Sequence, residues 1–134
     1  MRPRERFSPD DPREWLNRAR SNLALARSAL RDAYPEDLCF EAQQAAEKAI
    51  KAVLIHRGLS FPLVHDRARL LSVLAQHGEP IPEEVRQAVR LTRYALAAWY
   101  PGITEPVTEE EYTQAVALAE RVVQWAEARV CAKG

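Results

Sequence analysis

Between its prolines and glycines the chain places apolar residues at spacings of three and four, the period of an amphipathic α-helix. Trp15, Ala19, Leu23, Ala26 and Leu30 form the first such stripe. Asp11-Pro12-Arg13-Glu14 opens it with a capping acid, proline at the first helical position and a glutamate three residues after the cap. Pro35 sets its predicted end, because the residue before proline resists the helical region. A second helix is predicted from near Glu36 to His56-Arg57, with Gly58 as its stop. Its apolar and small positions (Leu38, Ala42, Ala45, Ala46, Ala49, Ile50, Val53, Leu54) make a band wide enough for more than one neighbour, so this helix is expected to be central. Glu47 and Lys51 are expected to pair on its polar side.

Three more helices follow. Asp66 can cap a short one carrying Leu70, Leu71 and Leu74, ending at Gly78. Pro80-Ile81-Pro82 begins the fourth, which presents Val85, Ala88, Val89, Leu91, Ala95 and Leu96 to a core and meets Pro101-Gly102. Thr108-Glu109-Glu110-Glu111 is a capping box for the fifth, with Val107 and Tyr112 as a staple across it. Ala115, Val116, Ala119, Val122, Val123, Ala126 and Val130 form its stripe. Short connections between five helices predict antiparallel neighbours and an all-α, five-helix up-and-down bundle. Residues 1–10, polar and rich in arginine, read as a flexible arm, and residues 11–134 as a single domain.

Composition agrees with this pattern, since Ala, Leu, Arg and Glu are strong helix formers and glycines number only 4. The formal net charge is zero, so no overall basic field advertises nucleic-acid binding. The distribution is uneven. Residues 1–31 hold eight arginines against four acids, and residues 104–134 hold six glutamates against three basic residues. Such an asymmetry can orient two chains, seat a partner, or match two helices within one bundle. The N-terminus lacks the apolar run of a signal peptide and no stretch is apolar enough to span a membrane, so a cytoplasmic location without membrane contact is expected.

Most chemical signatures are missing: there is no phosphate-binding glycine loop, no paired-cysteine metal spacing, and no Glu-x-x-His of a carboxylate-bridged metal site. No metal and no cofactor is expected. His56 and His77 sit near predicted helix ends, where a cation suits the dipole. His65 stands beside Asp66, which is already needed as a cap. Cys39 falls inside a helix, where a free thiol acts as a small apolar residue. Arg86, Arg90 and Arg93 are four and three apart, and Tyr100 lies two turns beyond Arg93, so these four define a candidate nucleotide- or RNA-binding stripe. The same stripe is also what a solvated helix face looks like, with Glu83 pairing to Arg86.

The stretch F-E-A-Q-Q-A-A-E-K-A-I-K-A-V-L-I-H-R-G (Phe40 to Gly58), His65-Asp66, L-T-R-Y-A followed by Y-P, and T-E-E-E-Y at the last helix together resemble the HEPN domain over roughly residues 12–130. The joint spacing of Gln44, Ala46, Glu47, Lys48 and Gly58 is the most specific part. The resemblance implies a helical bundle that usually forms a homodimer. It also implies pairing with a minimal nucleotidyltransferase encoded nearby, in a module of toxin–antitoxin type, and for many members metal-independent ribonuclease activity. That activity uses an Arg followed, after four to six residues, by a His, with the two protomers contributing jointly. Arg93 fits the Arg position, but Tyr100 stands where the His should be, and Ala98 and Trp99 precede it. Tyrosine, with an ordinary pKa of ~10, is a poor general base at neutral pH. The reading is therefore a non-catalytic or weakly active HEPN protein that binds a nucleotidyltransferase partner, nucleotide or RNA. Arg93 and Tyr100 are its only catalytic candidates. The alternatives are a ribonuclease toxin with Tyr100 in place of His, and a helical interaction scaffold. By the same resemblance, Tyr94 or Tyr100 is a candidate acceptor for modification.

Overall fold

Helix α1 (Pro12–Arg27) starts as its capping signal predicts, with the Asp11 carboxylate accepting from the Arg13 backbone N–H at 2.9 Å. The protein is described from a computed structural model covering residues 4–61, 67–94 and 106–131. Helix α2 spans Pro35–His56, α3 Arg67–Gln76 and α4 Glu83–Arg86, which runs directly into a 3₁₀ helix over Gln87–Thr92, while α5 spans Glu109–Val130. The described residues thus hold five helical segments and no strand. The architecture is the expected all-α bundle. Asp66, His65, Ala95, Leu96, Trp99, Tyr100 and the Pro101-Gly102 stop lie outside the described residues.

Long-range pairs fix the topology. Arg20 meets Glu127 at 2.8 Å, Arg27 meets Glu120 at 2.8 Å, and the Tyr112 hydroxyl donates to the Ala26 carbonyl. Rising numbers on α1 match falling numbers on α5, so the two helices are antiparallel. The basic first helix and acidic last helix therefore satisfy each other within one chain. Helix α2 packs against both. It is buried on nearly every side, from Leu38 through Leu54, with six fully buried alanines among its contacts: Ala42, Ala45, Ala46, Ala49, Ala52 and, from α1, Ala19. Alanine lets helix axes approach closely, and Leu16, Ile50, Leu54, Leu70, Leu74 and Leu91 fill the remaining space. Each such side chain contributes about 1.5–3 kcal/mol on burial.

Several local expectations are corrected. Helix α1 stops at Arg27 rather than running to Pro35: the Ser28 N–H and hydroxyl both return to the Leu25 carbonyl, and Ala29 takes φ 48°. Leu30 thereby leaves the stripe and is exposed. Glu47 and Lys51 do pair, at 3.2 Å, but inside the bundle rather than on a polar side. The ammonium lies 5.7 Å from the Trp15 ring centroid and 6.0 Å from that of Phe61, so apolar rings flank the pair. The fourth segment buries Val85, Ala88, Leu91 and Tyr94, a strict spacing of three, and leaves Val89 exposed. That is the period of a 3₁₀ helix rather than 3.6.

The segment before α1 lies against it. The Phe7 N–H donates to Glu14 at 3.0 Å, Asn17 donates to the Glu5 carbonyl at 2.9 Å, and Trp15 Nε1 donates to the Pro9 carbonyl at 2.7 Å. After α3, Gly78 turns the chain at φ 85° and delivers Glu79 into the interior. There Arg57 Nη1 approaches Oε1 at 3.1 Å and Arg129 Nη2 approaches Oε2 at 2.8 Å. One carboxylate ties the ends of α2 and α5 to the loop after α3.

Candidate functional site

The 3₁₀ helix decides which arginines share a surface. Each residue in that geometry turns the chain by about a third of a circle, so Arg90 and Arg93 eclipse while Arg86 is rotated away. Arg90 and Arg93, with Leu91 and Tyr94, line a cleft of about 650 Å³ against α5. Arg86 instead donates to the Ile81 carbonyl at 3.3 Å and borders the α3 side. Glu83 accepts from Gln87 at 2.9 Å, and Gln87 in turn accepts from Arg90 at 3.2 Å. Tyr100 lies outside the described residues.

The opposite wall comes from α5. Glu111, Gln114, Leu118 and Arg121 face the cleft at spacings of three, four and three. Glu111 is shared between two jobs. As the third residue of the capping box its Oε1 accepts from the Thr108 N–H at 3.2 Å, while the Thr108 hydroxyl accepts from the Glu111 N–H at 3.1 Å. Its other oxygen, Oε2, is paired with Arg93 Nη2. The Thr108 N–H first, and Arg93 after it, hold the Glu111 carboxyl below its ordinary value. Arg121 approaches Glu84 only to 3.9 Å and is largely exposed.

Under this surface lie a phenol and a thiol, and burial keeps both protonated. The Tyr94 ring sits 4.8 Å from the Arg93 guanidinium carbon, and burial raises its hydroxyl pKa despite that charge. The Cys39 thiol is pushed up to about 12, by burial first and then by Glu36 and Glu111. A thiol that stays protonated is no nucleophile at neutral pH. His56 and His77 stand at the ends of α2 and α3 and do not line the cleft, and His77 Nδ1 lies 2.8 Å from the Val73 carbonyl. Among the described residues no cluster of three or more His, Cys, Asp or Glu could hold a metal ion, and no helix is long and apolar enough to cross a membrane.

Of the stripe read from sequence, the cleft thus gathers Arg90 and Arg93 and not Arg86. It adds Arg121 and Gln114, which lie on the polar side of α5 and carry no weight in its apolar stripe. The Glu111-Gln114-Leu118-Arg121 spacing was the available signal. In the sequence Glu111 shows only its capping role; the structure adds its pairing with Arg93.

The carboxylate sign has a direct consequence. A group whose pKa is depressed by folding stabilises the fold above the ordinary carboxylate range and loses that contribution as pH falls through the folded value. The gap between thermal melts of wild type and Glu111→Gln is expected to narrow as pH falls below the ordinary carboxylate range. A gap that stays constant down to about pH 3 would show that the Glu111 charge contributes nothing to the cap.

Fold and site together define a helical-bundle protein with an arginine-lined cleft that one carboxylate partly neutralises. The profile of the HEPN domain family matches residues 12–129, and the chain belongs to that family. The structure superimposes on that of an archaeal HEPN homologue with a TM-score of 0.70 and 25% identity, covering 90% of this chain and 98% of that one. It is also similar to TT1696 from Thermus thermophilus, with a TM-score of 0.69 and 30% identity, covering 88% of this chain and 97% of that one. A comparison with curated protein sequences finds no match.

Proposed function

We propose that this HEPN protein binds a phosphate-bearing ligand, nucleotide or RNA, in the cleft formed by Arg90, Arg93 and Arg121, with Tyr100 as a further member. In this reading it acts as a homodimer and as the partner of a nucleotidyltransferase in a module of toxin–antitoxin type, and has little or no catalytic activity of its own. The observation that carries the reading is that Arg90, Arg93 and Arg121 line one cleft in which, among the described residues, Glu111 is the only acidic one. Guanidinium forks match phosphate oxygens bidentately. Family membership supports the dimer and the partner. The ribonuclease alternative rests on Tyr100 in place of His, and tyrosine is a poor general base at neutral pH; no histidine stands among the described lining residues.

Fluorescence anisotropy with a short single-stranded RNA and with ATP tests the proposal. Binding is expected to weaken with salt, and Arg93→Ala to reduce affinity by roughly ten- to hundredfold, the size of a charge-assisted hydrogen bond. Glu111→Gln is expected to act in the opposite direction. Glutamine serves the capping box as well as glutamate does, so the variant keeps the cap and releases Arg93. Affinity unchanged in both variants overturns the assignment of the cleft.

A further inference from the structure

The α2 stretch that carries the family likeness contributes Glu47, Lys48 and Lys51, and only two of these are used in the interior. Glu47 and Lys51 turn inward as a buried pair. Lys48 points to a second cleft, of about 460 Å³, between residues 4–6, α1 and α2. Its half-buried ammonium donates to Asn22 Oδ1 at 2.8 Å, a neutral amide, and Asn22 passes the contact on by donating to Glu41 at 2.6 Å. Lys48 itself forms no ion pair among the described residues. Burial lowers its pKa, with Glu41 opposing that shift and Arg18 adding to it. Its one direct hydrogen bond goes to an amide, and Glu41 and Glu47 act on it only from longer range, so this partly desolvated cation is incompletely compensated.

The rest of the cleft points the same way. Arg4, Arg6 and Arg18 stand around it with Lys48, against Glu5 and Glu14. The Glu14 carboxylate is already occupied, accepting from the Phe7 N–H at 3.0 Å and from Arg18 Nε at 2.7 Å, with Arg6 at 4.0 Å. Four lining cations face two lining acids, and with Glu41 behind Asn22 a surplus of positive charge remains, which suits an anion. Guanidinium groups beside an ammonium suit tetrahedral oxyanions. We infer that the cleft between the N-terminal segment, α1 and α2 is a phosphate site, in which Lys48 is the half-buried contact and Arg4 and Arg6 flank the ligand from the chain ahead of α1. It is independent of the Arg93 cleft.

Thermal melts of the full chain with inorganic phosphate and with AMP, against sodium chloride at equal ionic strength, test the inference. A hundredfold excess over Kd is expected to raise Tm by roughly 5–10 °C. Lys48→Met should melt at or above the wild-type temperature without phosphate, since it removes a poorly partnered cation, and should lose the phosphate-dependent rise. Arg4→Ala/Arg6→Ala, which leaves the bundle interior untouched, should reduce the rise, and Arg93→Ala should keep it. A larger rise with AMP than with phosphate assigns a nucleotide as the source, and equal rises assign the phosphate group alone. An equal rise in chloride, or a full rise in both Lys48→Met and the double arginine variant, overturns the site.

Discussion

Arg57→Ala is expected to destabilise the protein by about 3 kcal/mol, lowering Tm by about 10 °C in a chemical or thermal melt. Arg57 does two things at once: Nη1 reaches Glu79 Oε1 at 3.1 Å and Nη2 donates to the His77 carbonyl at 2.8 Å. Glu79 is only 3% exposed, so its carboxylate depends on the two arginines for compensation. Removing one partner of a buried pair costs about 3–5 kcal/mol. The lower end applies because Arg129 remains and because both arginines reach solvent, with side chains 30% and 45% exposed. Arg129→Ala, at the more exposed partner, is expected to cost less. The decisive measurement is the double variant Arg57→Ala/Glu79→Ala. Once Arg57 is gone, deleting the carboxylate should cost far less than deleting it from the wild type. Strictly additive losses would show that the three groups do not act as a unit.

The second large effect comes from adding volume. Ala49→Leu is expected to lower stability by about 3 kcal/mol, because well-packed cores resist extra methylenes. Ala49 is fully buried on a helix that has neighbours on nearly every side, so an isobutyl group has no vacant direction in which to turn. The matched control is Ala24→Leu on the exposed side of α1, where leucine meets solvent and the change should stay within ~0.5 kcal/mol. If Ala49→Leu melts with the wild type, close approach of the helices is not what the alanines of α2 provide. Loss of soluble protein in Ala49→Leu but not in Ala24→Leu would be the extreme form of the expected result.

These two predictions separate what the sequence makes legible from what it hides. The helices were legible because their signals are local. Asp11-Pro12 and the Thr108 capping box act within one turn, and the wide band on α2 announced a central helix. The 3₁₀ stretch was present in the spacing of Val85, Ala88, Leu91 and Tyr94, but Val89 also fitted a 3.6 period and concealed it. That single misreading misplaced Arg86. The buried polar groups were hidden for another reason. Glu47 and Lys51 look like any i,i+4 surface pair, and nothing near Glu79 in the chain reveals that Arg57 and Arg129 will arrive from 22 and 50 residues away. Charge asymmetry between the chain ends was visible, yet whether it joined two chains or two helices could be decided only by Arg20 and Arg27 finding Glu127 and Glu120. In the cleft, Arg93 was legible through the family likeness and Arg121 was not.

The antiparallel pairing of the first and last helices has a practical reach beyond stability. Pro12, at the start of α1, and Val130, at the end of α5, border the same shallow depression together with His56. Both ends of the helical bundle therefore sit at one pole. Glu111 and Arg93 sit towards the other, since Glu111 and Val130 are separated by roughly 28 Å at the usual rise of an α-helix. A fluorophore attached beside Pro12 or Val130 is therefore carried to the pole away from Arg93.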